Sequence, residues 1–138
     1  MNNWIFVESL FNWENDFRTN FEYLGIRIDV FDKKKFQTND CIYTYISKLK
    51  KFSDIRQISS NDIFDLPNNY KYDKEYIKGI KTKPIKVLDK KNWLDFNQIK
   101  NELELFSLTN SPGLKLINAP IKLSNFDSKK LDKFFNLT

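Results

Sequence analysis

The sequence predicts a mixed α+β fold in which a mainly antiparallel or barrel-like sheet is flanked by helices. Short apolar segments that alternate with polar residues recur along the chain and are typical of strands. Elsewhere, apolar residues recur at helical spacing behind capping residues, which is typical of amphipathic helices. The chain has 138 residues, of which 41% are hydrophobic, and this suits one core. We therefore expect a single domain over residues 1–138.

The start of the chain predicts a strand followed by a helix. Asn3–Glu8 is a short apolar run typical of a strand. Asn12 is expected to cap the helix, with Asp16 in its first turn, where a carboxylate interacts favourably with the helix dipole. One apolar stripe is expected on this helix, formed by Trp13, Phe17 and Phe21. Gly25 is expected to end the element or to turn the chain, within an extended or irregular stretch over residues 23–30.

The next segment predicts a hairpin with a basic tip. Cys41–Ile46 alternates between two faces, one of which carries Tyr43 and Tyr45. The chain then returns through residues 52–59, although the connecting loop lacks a strong turn signature. The lysines of this tip are Lys48, Lys50 and Lys51.

Residues 61–76 are the least regular part of the sequence. They contain Phe64 and Tyr70, and aromatic residues are harder to explain as ordinary core in such a segment. Because a long loop in a small domain is often functional, both residues are candidates for a binding site.

A basic strand is predicted over residues 80–87. Side chains alternate along a strand, so Lys81 and Lys83 should share one face. Proline cannot donate a ladder hydrogen bond, so Pro84 predicts an edge position or a bulge. Lysines on a bulged strand are well placed to meet a partner.

The last third of the chain predicts two helices with a strand between them. Asp95 with Gln98 resembles a capping box, and a helical stripe follows it. The members of this stripe are Phe96, Ile99, Leu103 and Phe106. A last strand is expected over residues 114–117, and Ser124 with Asp127 again resembles a capping box. The final helix is expected to turn three side chains inward: Leu131, Phe134 and Phe135.

The composition excludes several classes of site. The chain has no histidine, which excludes Ser-His-Asp and Cys-His catalysis and removes the commonest metal ligand. The single cysteine, Cys41, can form neither an intrachain disulfide nor a multi-cysteine zinc site, and we expect it to be a buried thiol. The sequence shows neither a signal peptide nor an apolar run of membrane-spanning length. We therefore expect a cytoplasmic protein without a membrane partner, a metal or a cofactor.

The charge balance suggests an anionic partner. The formal net charge is +5, and part of the excess is clustered at the hairpin tip and on the basic strand. A lysine-rich surface can equally serve solubility, so charge alone leaves both interpretations open.

Several segments, in order, resemble the EVE domain, a member of the PUA-like superfamily that also includes the YTH readers of methylated RNA. The segments are Trp4-Ile5-Phe6-Val7 with Asn12-Trp13-Glu14, Tyr23-Leu24-Gly25-Ile26, Phe36-Gln37-Thr38-Asn39-Asp40, Lys83-Pro84-Ile85-Lys86, and residues 123–131. The resemblance lies in their order and spacing and spans nearly the whole chain. It implies a curved mixed sheet, or incomplete β-barrel, flanked by helices. It also implies a surface pocket for a flipped or unstacked base, often a modified one.

The resemblance implies where that pocket lies. Its expected residues are Ser9, Tyr23, Leu24, Gly25, Phe64, Tyr70, Asn118 and Ala119. Leu24 stands where many relatives carry an aromatic wall, and Tyr23 takes that role if the alignment shifts by one. Phosphate groups are expected to meet rim lysines, namely Lys48, Lys50, Lys51, Lys81 and Lys83. Ordinary structural roles stay open for Ser9 as a loop residue and for Asn118 as a turn residue.

Three functions are compatible with these observations. The first is a non-enzymatic module that binds RNA or DNA and reads a base. The second is a basic protein-interaction domain. The third is a metal-dependent enzyme acting on nucleotides, because carboxylates with magnesium need no histidine. The carboxylates available to it are Glu8, Asp40, Asp54 and Asp62, although they form no tight acidic motif.

Overall fold

Seven strands of one curved sheet and four α-helices make up the part of the chain that the structure describes. The structure is a computed structural model, and it describes residues 1–27, 36–68, 70, 78–107, 116 and 119–137. The strands are β1 (Asn3–Glu8), β2 (Tyr23–Ile26), β3 (Cys41–Ile46), β4 (Lys51–Asp65), β5 (Lys78–Val87), β6 (Leu94–Asp95) and β7 (Ile121–Leu123). The helices are α1 (Leu10–Arg18), α2 (Phe96–Ile99), α3 (Glu104–Ser107) and α4 (Asn125–Phe134). Short 3₁₀ turns lie at Lys90–Asn92 and Lys100–Glu102.

The strand order in the sheet is β2-β5-β4-β3-β1-β7, with β6 paired to the start of β4. The β1–β3 pair is parallel, and the other described pairs are antiparallel. The α+β prediction with a mainly antiparallel sheet is therefore confirmed. None of the helices in the described ranges has the length and apolar character needed to cross a membrane.

The two faces of the sheet carry different parts of the core. The bounds predicted for β1 and β3 are confirmed, as is the alternation along β3. On one face Tyr43 and Tyr45 pack with Phe96, Leu131 and other apolar residues of the C-terminal half. On the other face the core continues through Ile42 and Ile46, where α1 covers the sheet.

The start of α1 differs from the prediction. Ser9 has extended backbone dihedrals and caps the helix, because its hydroxyl accepts a 3.1 Å hydrogen bond from the backbone N–H of Asn12. Asn12 is thus a buried residue inside the helix, and its expected role as the cap is wrong. The earlier start moves Asp16 out of the first turn into a fully buried position. Gly25 lies within β2 opposite Gly79, so it neither ends an element nor turns the chain.

Strand β4 is longer than the sequence predicts. It continues through the polar stretch 59–62 to Asp65, because β5 still pairs with it there, for example Phe64 with Gly79. The predicted irregular segment therefore begins only after Asp65. Tyr70 is described beyond that point, and residues 69 and 71–77 lie outside the described ranges.

The predicted bulge in the basic strand is confirmed. Adjacent β4 residues Ile55 and Arg56 pair with Lys86 and Pro84, which leaves Ile85 as the extra residue on β5. Lys81 and Lys83 are exposed on one side of β5, and Thr82 between them is buried.

The segment after β6 keeps the predicted apolar stripe but not the predicted continuous helix. Phe96, Ile99, Leu103 and Phe106 are all buried. The helix is nevertheless divided, because the Asp127 carboxylate accepts the backbone N–H groups of Glu104 and Leu105 at 2.7 and 3.0 Å and starts α3 there.

The predicted start of the last helix is confirmed. Asp127 donates its backbone N–H to the Ser124 hydroxyl at 3.1 Å, and Leu131 and Phe135 point inward. Of the strand expected over residues 114–117, the structure describes only Leu116. The strand that precedes α4 is β7, at Ile121–Leu123.

Candidate functional site

Three aromatic side chains meet at the edge of the sheet. Tyr23 in β2 lies 5.5 Å from Phe64 and 5.8 Å from Tyr70, measured between ring centroids, with interplanar angles of 60° and 83°. All three residues are half-buried, so their rings are packed together yet reach solvent. We call these three residues the aromatic cluster.

The strand pairing determines on which face of the sheet the aromatic cluster lies. Cross-strand partners point to the same face, and Tyr23 is paired with Lys81 while Phe64 is paired with Gly79. These side chains therefore share the outer face. Leu24 alternates to the inner face, where it is buried with Ile80 in the core. The structure thus places Tyr23, and not Leu24, beside the other predicted aromatic residues.

The Tyr70 hydroxyl connects the cluster to α1. It hydrogen-bonds to the Oδ1 atom of Asp16 and lies 3.1 Å from the backbone oxygen of Tyr23. A tyrosine hydroxyl has one proton, so it donates to one of these acceptors at a time. These contacts hold the ring of Tyr70 at the edge of β2.

A buried ion cluster lies directly behind Asp16. Its members are Glu8, Asp16, Asp54 and Arg56. The guanidinium of Arg56 is fully buried and is 2.7 Å from Asp16, 2.7 Å from Asp54 and 3.0 Å from Glu8. It also lies 4.8 Å from the ring centroid of Phe21, a cation–π contact.

Asp54 accepts several further hydrogen bonds within the buried ion cluster. Besides Arg56, it accepts the indole N–H of Trp13 at 2.9 Å and the hydroxyls of Thr44 and Ser53 at 2.9 and 2.8 Å. Residues of α1, β3 and β4 are therefore connected through one carboxylate. The buried ion cluster thereby fixes α1, and with it Asp16, against the sheet.

In the described part of the chain, the buried ion cluster brings three carboxyl groups around one guanidinium. Burial, followed by the charge of Asp16, raises the pKa of Glu8 well above its ordinary value, although Arg56 acts in the opposite direction. This shift favours the protonated form of Glu8 over its ionised form.

Arg56 and the role of Asp16 were not predicted from the sequence. The sequence does contain a pattern that indicates a buried Arg56. Asp54 and Arg56 have the same strand parity as the apolar Ile58. An arginine and an aspartate at core parity predict a buried ion pair. The position of Asp16 could not be inferred in the same way, because it depends on where α1 begins.

The other residues expected in the pocket have different surroundings. The hydroxyl of Ser9 is used as the helix cap and lies about 10 Å along α1 from Asp16. Gly25 faces Gly79, which Leu66 covers so closely that a Cβ built on Gly79 would lie 2.6 Å from Leu66 Cδ2.

Ala119 and Asn118 are not joined to the aromatic cluster by any described contact. Ala119 donates its backbone N–H to Leu116 at 3.1 Å, and a cis peptide bond connects it to Pro120 before β7. In the strand order β7 is at the opposite end from β2. Asn118 lies outside the described residues.

The predicted phosphate-binding lysines fall into two groups. Lys81 lies opposite Tyr23, and Lys83 follows on the same exposed side of β5. The hairpin tip, with Lys48, Lys50 and Lys51, is at the other end of β4. Lys81 pairs with Ser60 of β4, and Ser60 is nine positions along β4 from Lys51. The two groups of lysines are therefore roughly 30 Å apart along the strand. Only the first group adjoins the aromatic cluster.

The carboxylates considered for metal binding have structural partners. Asp40 accepts the backbone N–H groups of Asn2 and Gln37 and the indole N–H of Trp4, at 2.9 to 3.0 Å. Glu8 and Asp54 surround Arg56, and Asp62 is exposed. Within the described ranges, no group of three or more suitable side chains is arranged to hold a metal ion.

Comparisons with known proteins place the fold. Neither the models of known protein families nor the sequences of curated proteins give a match. Among solved structures, the chain is similar to the Pho92 YTH domain in complex with m6A, with a TM-score of 0.71 and 14% identity over 99% of this chain and 84% of that one. The chain has the fold of the YTH domains.

Two further structures agree with this result. The YTH domain of the Zygosaccharomyces rouxii MRB1 protein, in complex with N6-methyladenosine RNA, gives a TM-score of 0.70 and 13% identity over 97% of this chain and 86% of that one. A hypothetical protein from Leishmania major gives a TM-score of 0.66 and 12% identity over 99% of this chain and 95% of that one. At such identities the similarity is one of fold, and the YTH-like fold agrees with the PUA-like architecture that the sequence resemblance implied.

Proposed function

We propose that this chain is a non-enzymatic nucleic-acid-binding module that holds one unstacked base against the aromatic cluster. The observation that carries the proposal is the meeting of three half-exposed rings beside Lys81, at the edge of a YTH-like sheet. The similar structures solved with RNA and with N6-methyladenosine support RNA, and a modified base, as the ligand class.

The chemistry of the site suits a base. Stacking on an aromatic side chain contributes about 1–3 kcal/mol per base, and a base must leave its own stack to reach a protein ring. Single strands and splayed ends are therefore the preferred ligands. Lys81 and Lys83, exposed next to the cluster, supply the positive charge that the adjoining phosphates require.

Within the YTH-like fold, we propose the EVE group as the nearer relation of this chain. The support is the order and spacing of the segments from Trp4-Ile5-Phe6-Val7 to Lys83-Pro84-Ile85-Lys86. Under this assignment Tyr23 takes the place of an aromatic wall that Leu24 does not supply.

A binding titration with short oligonucleotides tests the proposal. Fluorescence anisotropy with single-stranded RNA, double-stranded RNA and single-stranded DNA of one sequence should show salt-dependent binding that is tightest for a single strand. The variant Lys81→Glu should weaken binding to all sequences about equally and reduce the salt slope by about 1. Lys129→Glu, on the exposed side of α4, is the matched control and should change binding much less.

Two outcomes would contradict the proposal. Absence of oligonucleotide binding would favour a basic protein-interaction domain. Metal-dependent turnover of a nucleotide or nucleic acid would favour an enzyme.

A further inference from the structure

The aromatic cluster lies against buried negative charge. Asp16 contacts the Tyr70 hydroxyl through one carboxylate oxygen and Arg56 through the other, at 2.7 Å. Its side chain is fully buried, so water does not screen its charge as it does at the surface. Among the described members of the buried ion cluster, three carboxyl groups surround one guanidinium.

The hydrogen bond to Asp16 also changes the ring of Tyr70. A phenol that donates to a carboxylate shifts electron density towards its own oxygen and ring, which makes the face of the ring more negative. Tyr23 and Phe64 add two further rings at steep angles to one another. A cation that lies over the exposed face of such a ring is attracted by the quadrupole of the ring.

Among the described residues, the positive charges near the aromatic cluster are on the solvent side. Lys81 and Arg27 are exposed, so water and salt screen them. Lys78 is paired with Asp65. The described cations that could repel a charged ligand are therefore screened or paired, while the carboxylate behind Tyr70 is buried.

We infer that the base held by the aromatic cluster carries a positive charge on its ring, as 7-methylguanine, 1-methyladenine and 3-methylcytosine do. This inference depends on the proposed function and names the ligand class of the same site. It separates the chain from a reader of N6-methyladenine, because that base is neutral. A neutral base gains stacking at the cluster, whereas a cationic base gains stacking and the attraction of the rings and of Asp16.

Oligonucleotides that differ in one base test the inference. The wild-type chain is titrated with single-stranded RNAs of one sequence whose central base is adenine, N6-methyladenine, 1-methyladenine, cytosine, 3-methylcytosine, guanine or 7-methylguanine. Each cationic base should bind about tenfold more tightly than its unmodified parent. N6-methyladenine should stay within about threefold of adenine. A parallel titration with 7-methylguanosine 5′-monophosphate shows whether the free nucleotide suffices or a strand is required.

Substitution of Asp16 tests the cause of the preference. Asp16→Asn keeps an oxygen that accepts the Tyr70 hydroxyl but removes the charge, so it should reduce the preference for cationic bases about tenfold and change the affinity for neutral strands little. Asp132→Asn is the matched control. Asp132 accepts the Tyr43 hydroxyl at 2.6 Å on the other face of the sheet, and its substitution should leave the preference unchanged. If Asp16→Asn unfolds, Tyr70→Phe replaces it and should also reduce the preference, because it removes the contact with the carboxylate.

The result that overturns the inference is distinct from failure of the proposed function. If strands with cationic bases bind no more tightly than their parents, or N6-methyladenine binds more tightly than 1-methyladenine, the inference is wrong. Binding that still depends on Phe64 and Lys81 would keep the proposed function in that case. Absence of binding to every strand would overturn both.

Discussion

At the scale of single residues, Asp16 joins the core to the candidate site. One of its carboxylate oxygens belongs to the buried ion cluster and the other holds Tyr70. Because a fully buried carboxylate without partners is very unfavourable, the ion pair with Arg56 is what allows Asp16 to remain there. The position of the aromatic wall thus depends on residues that no ligand needs to touch.

Glu8 gives a prediction for stability against pH. Its ordinary pKa is 4.5. In the folded protein, burial and the neighbouring carboxylates of Asp16 and Asp54 raise this pKa, and the guanidinium of Arg56 lowers it by less. Between these two pKa values the folded chain holds a proton that the unfolded chain has lost. The free energy of unfolding should therefore fall as pH rises above about 4.5, by up to about 1.4 kcal/mol per pH unit.

The variant Glu8→Gln tests this directly. It cannot lose the proton, so its stability relative to wild type should increase from pH 5 to pH 8 in urea denaturation. The chain has no histidine, so no ordinary histidine transition overlaps this range. Glu14→Gln, at a partly exposed carboxylate of α1, is the control and should follow wild type. A stability difference between Glu8→Gln and wild type that does not change with pH would contradict the predicted protonation of Glu8.

At the residue level, three of the residues expected in the pocket lie together. Phe64 and Tyr70 were candidates because aromatic residues in an irregular segment are hard to explain as core, and Tyr23 was a candidate because of the family resemblance; the structure packs their rings against one another. Their role in binding stays a prediction. The link between Asp16 and Arg56 was not predicted, because it joins residues forty positions apart through a helix whose start was misplaced.

At the scale of elements, the hairpin tip is strained. Lys48 and Lys50 have φ values of 67° and 56°, a region that glycine and asparagine adopt more easily than lysine. The lack of a strong turn signature in the sequence therefore agrees with the strained backbone of the tip. Lys48→Gly should raise the free energy of unfolding by about 1 kcal/mol.

The measurement is chemical denaturation with Lys51→Gly as the control. Lys51 lies in β4 with strand geometry, and glycine there should lower stability by about 0.5–1 kcal/mol. If Lys48→Gly were destabilising, the left-handed conformation assigned to residue 48 would be incorrect.

The pairing of β2 with β5 gives a second element-scale prediction. A Cβ on Gly79 would lie 2.6 Å from Leu66 Cδ2 and 3.1 Å from the backbone oxygen of Leu24. Gly79→Ala should therefore destabilise the fold by about 1–3 kcal/mol. Combining it with Leu66→Ala should remove part of that cost, because the side-chain clash disappears and the backbone contact remains. A double-mutant cycle by urea denaturation checks this, and strictly additive effects would show that Leu66 does not cover Gly79.

Elements were predicted well where a local pattern determines them and less well where a distant residue does. The strands β1 and β3 have the expected bounds because their alternation is local. The helix expected after Asp95 is divided because Asp127, far along the chain, captures two of its N–H groups. The polar end of β4 is extended by its pairing with β5, which a single segment does not reveal.

At the scale of the whole molecule, the two faces of the sheet have different roles. One face packs the helices α2 to α4 and contains the largest core cluster of the described residues, with Phe52 and Phe135 among its members. The buried ion cluster lies on the other side of the sheet with α1, and the aromatic cluster lies at the β2 edge, outside the packed core. Changes at the aromatic cluster should therefore affect binding more than folding.

The proposed function requires that one base of a bound strand lies against the aromatic cluster. The most direct test is isothermal titration with a single-stranded RNA and with the same strand lacking its central base, for wild type and for Phe64→Ala. Phe64→Ala should weaken binding of the intact strand about tenfold and binding of the abasic strand by less than about twofold, with an unchanged melting temperature. Equal loss of affinity for both strands, or no loss for either, would contradict it.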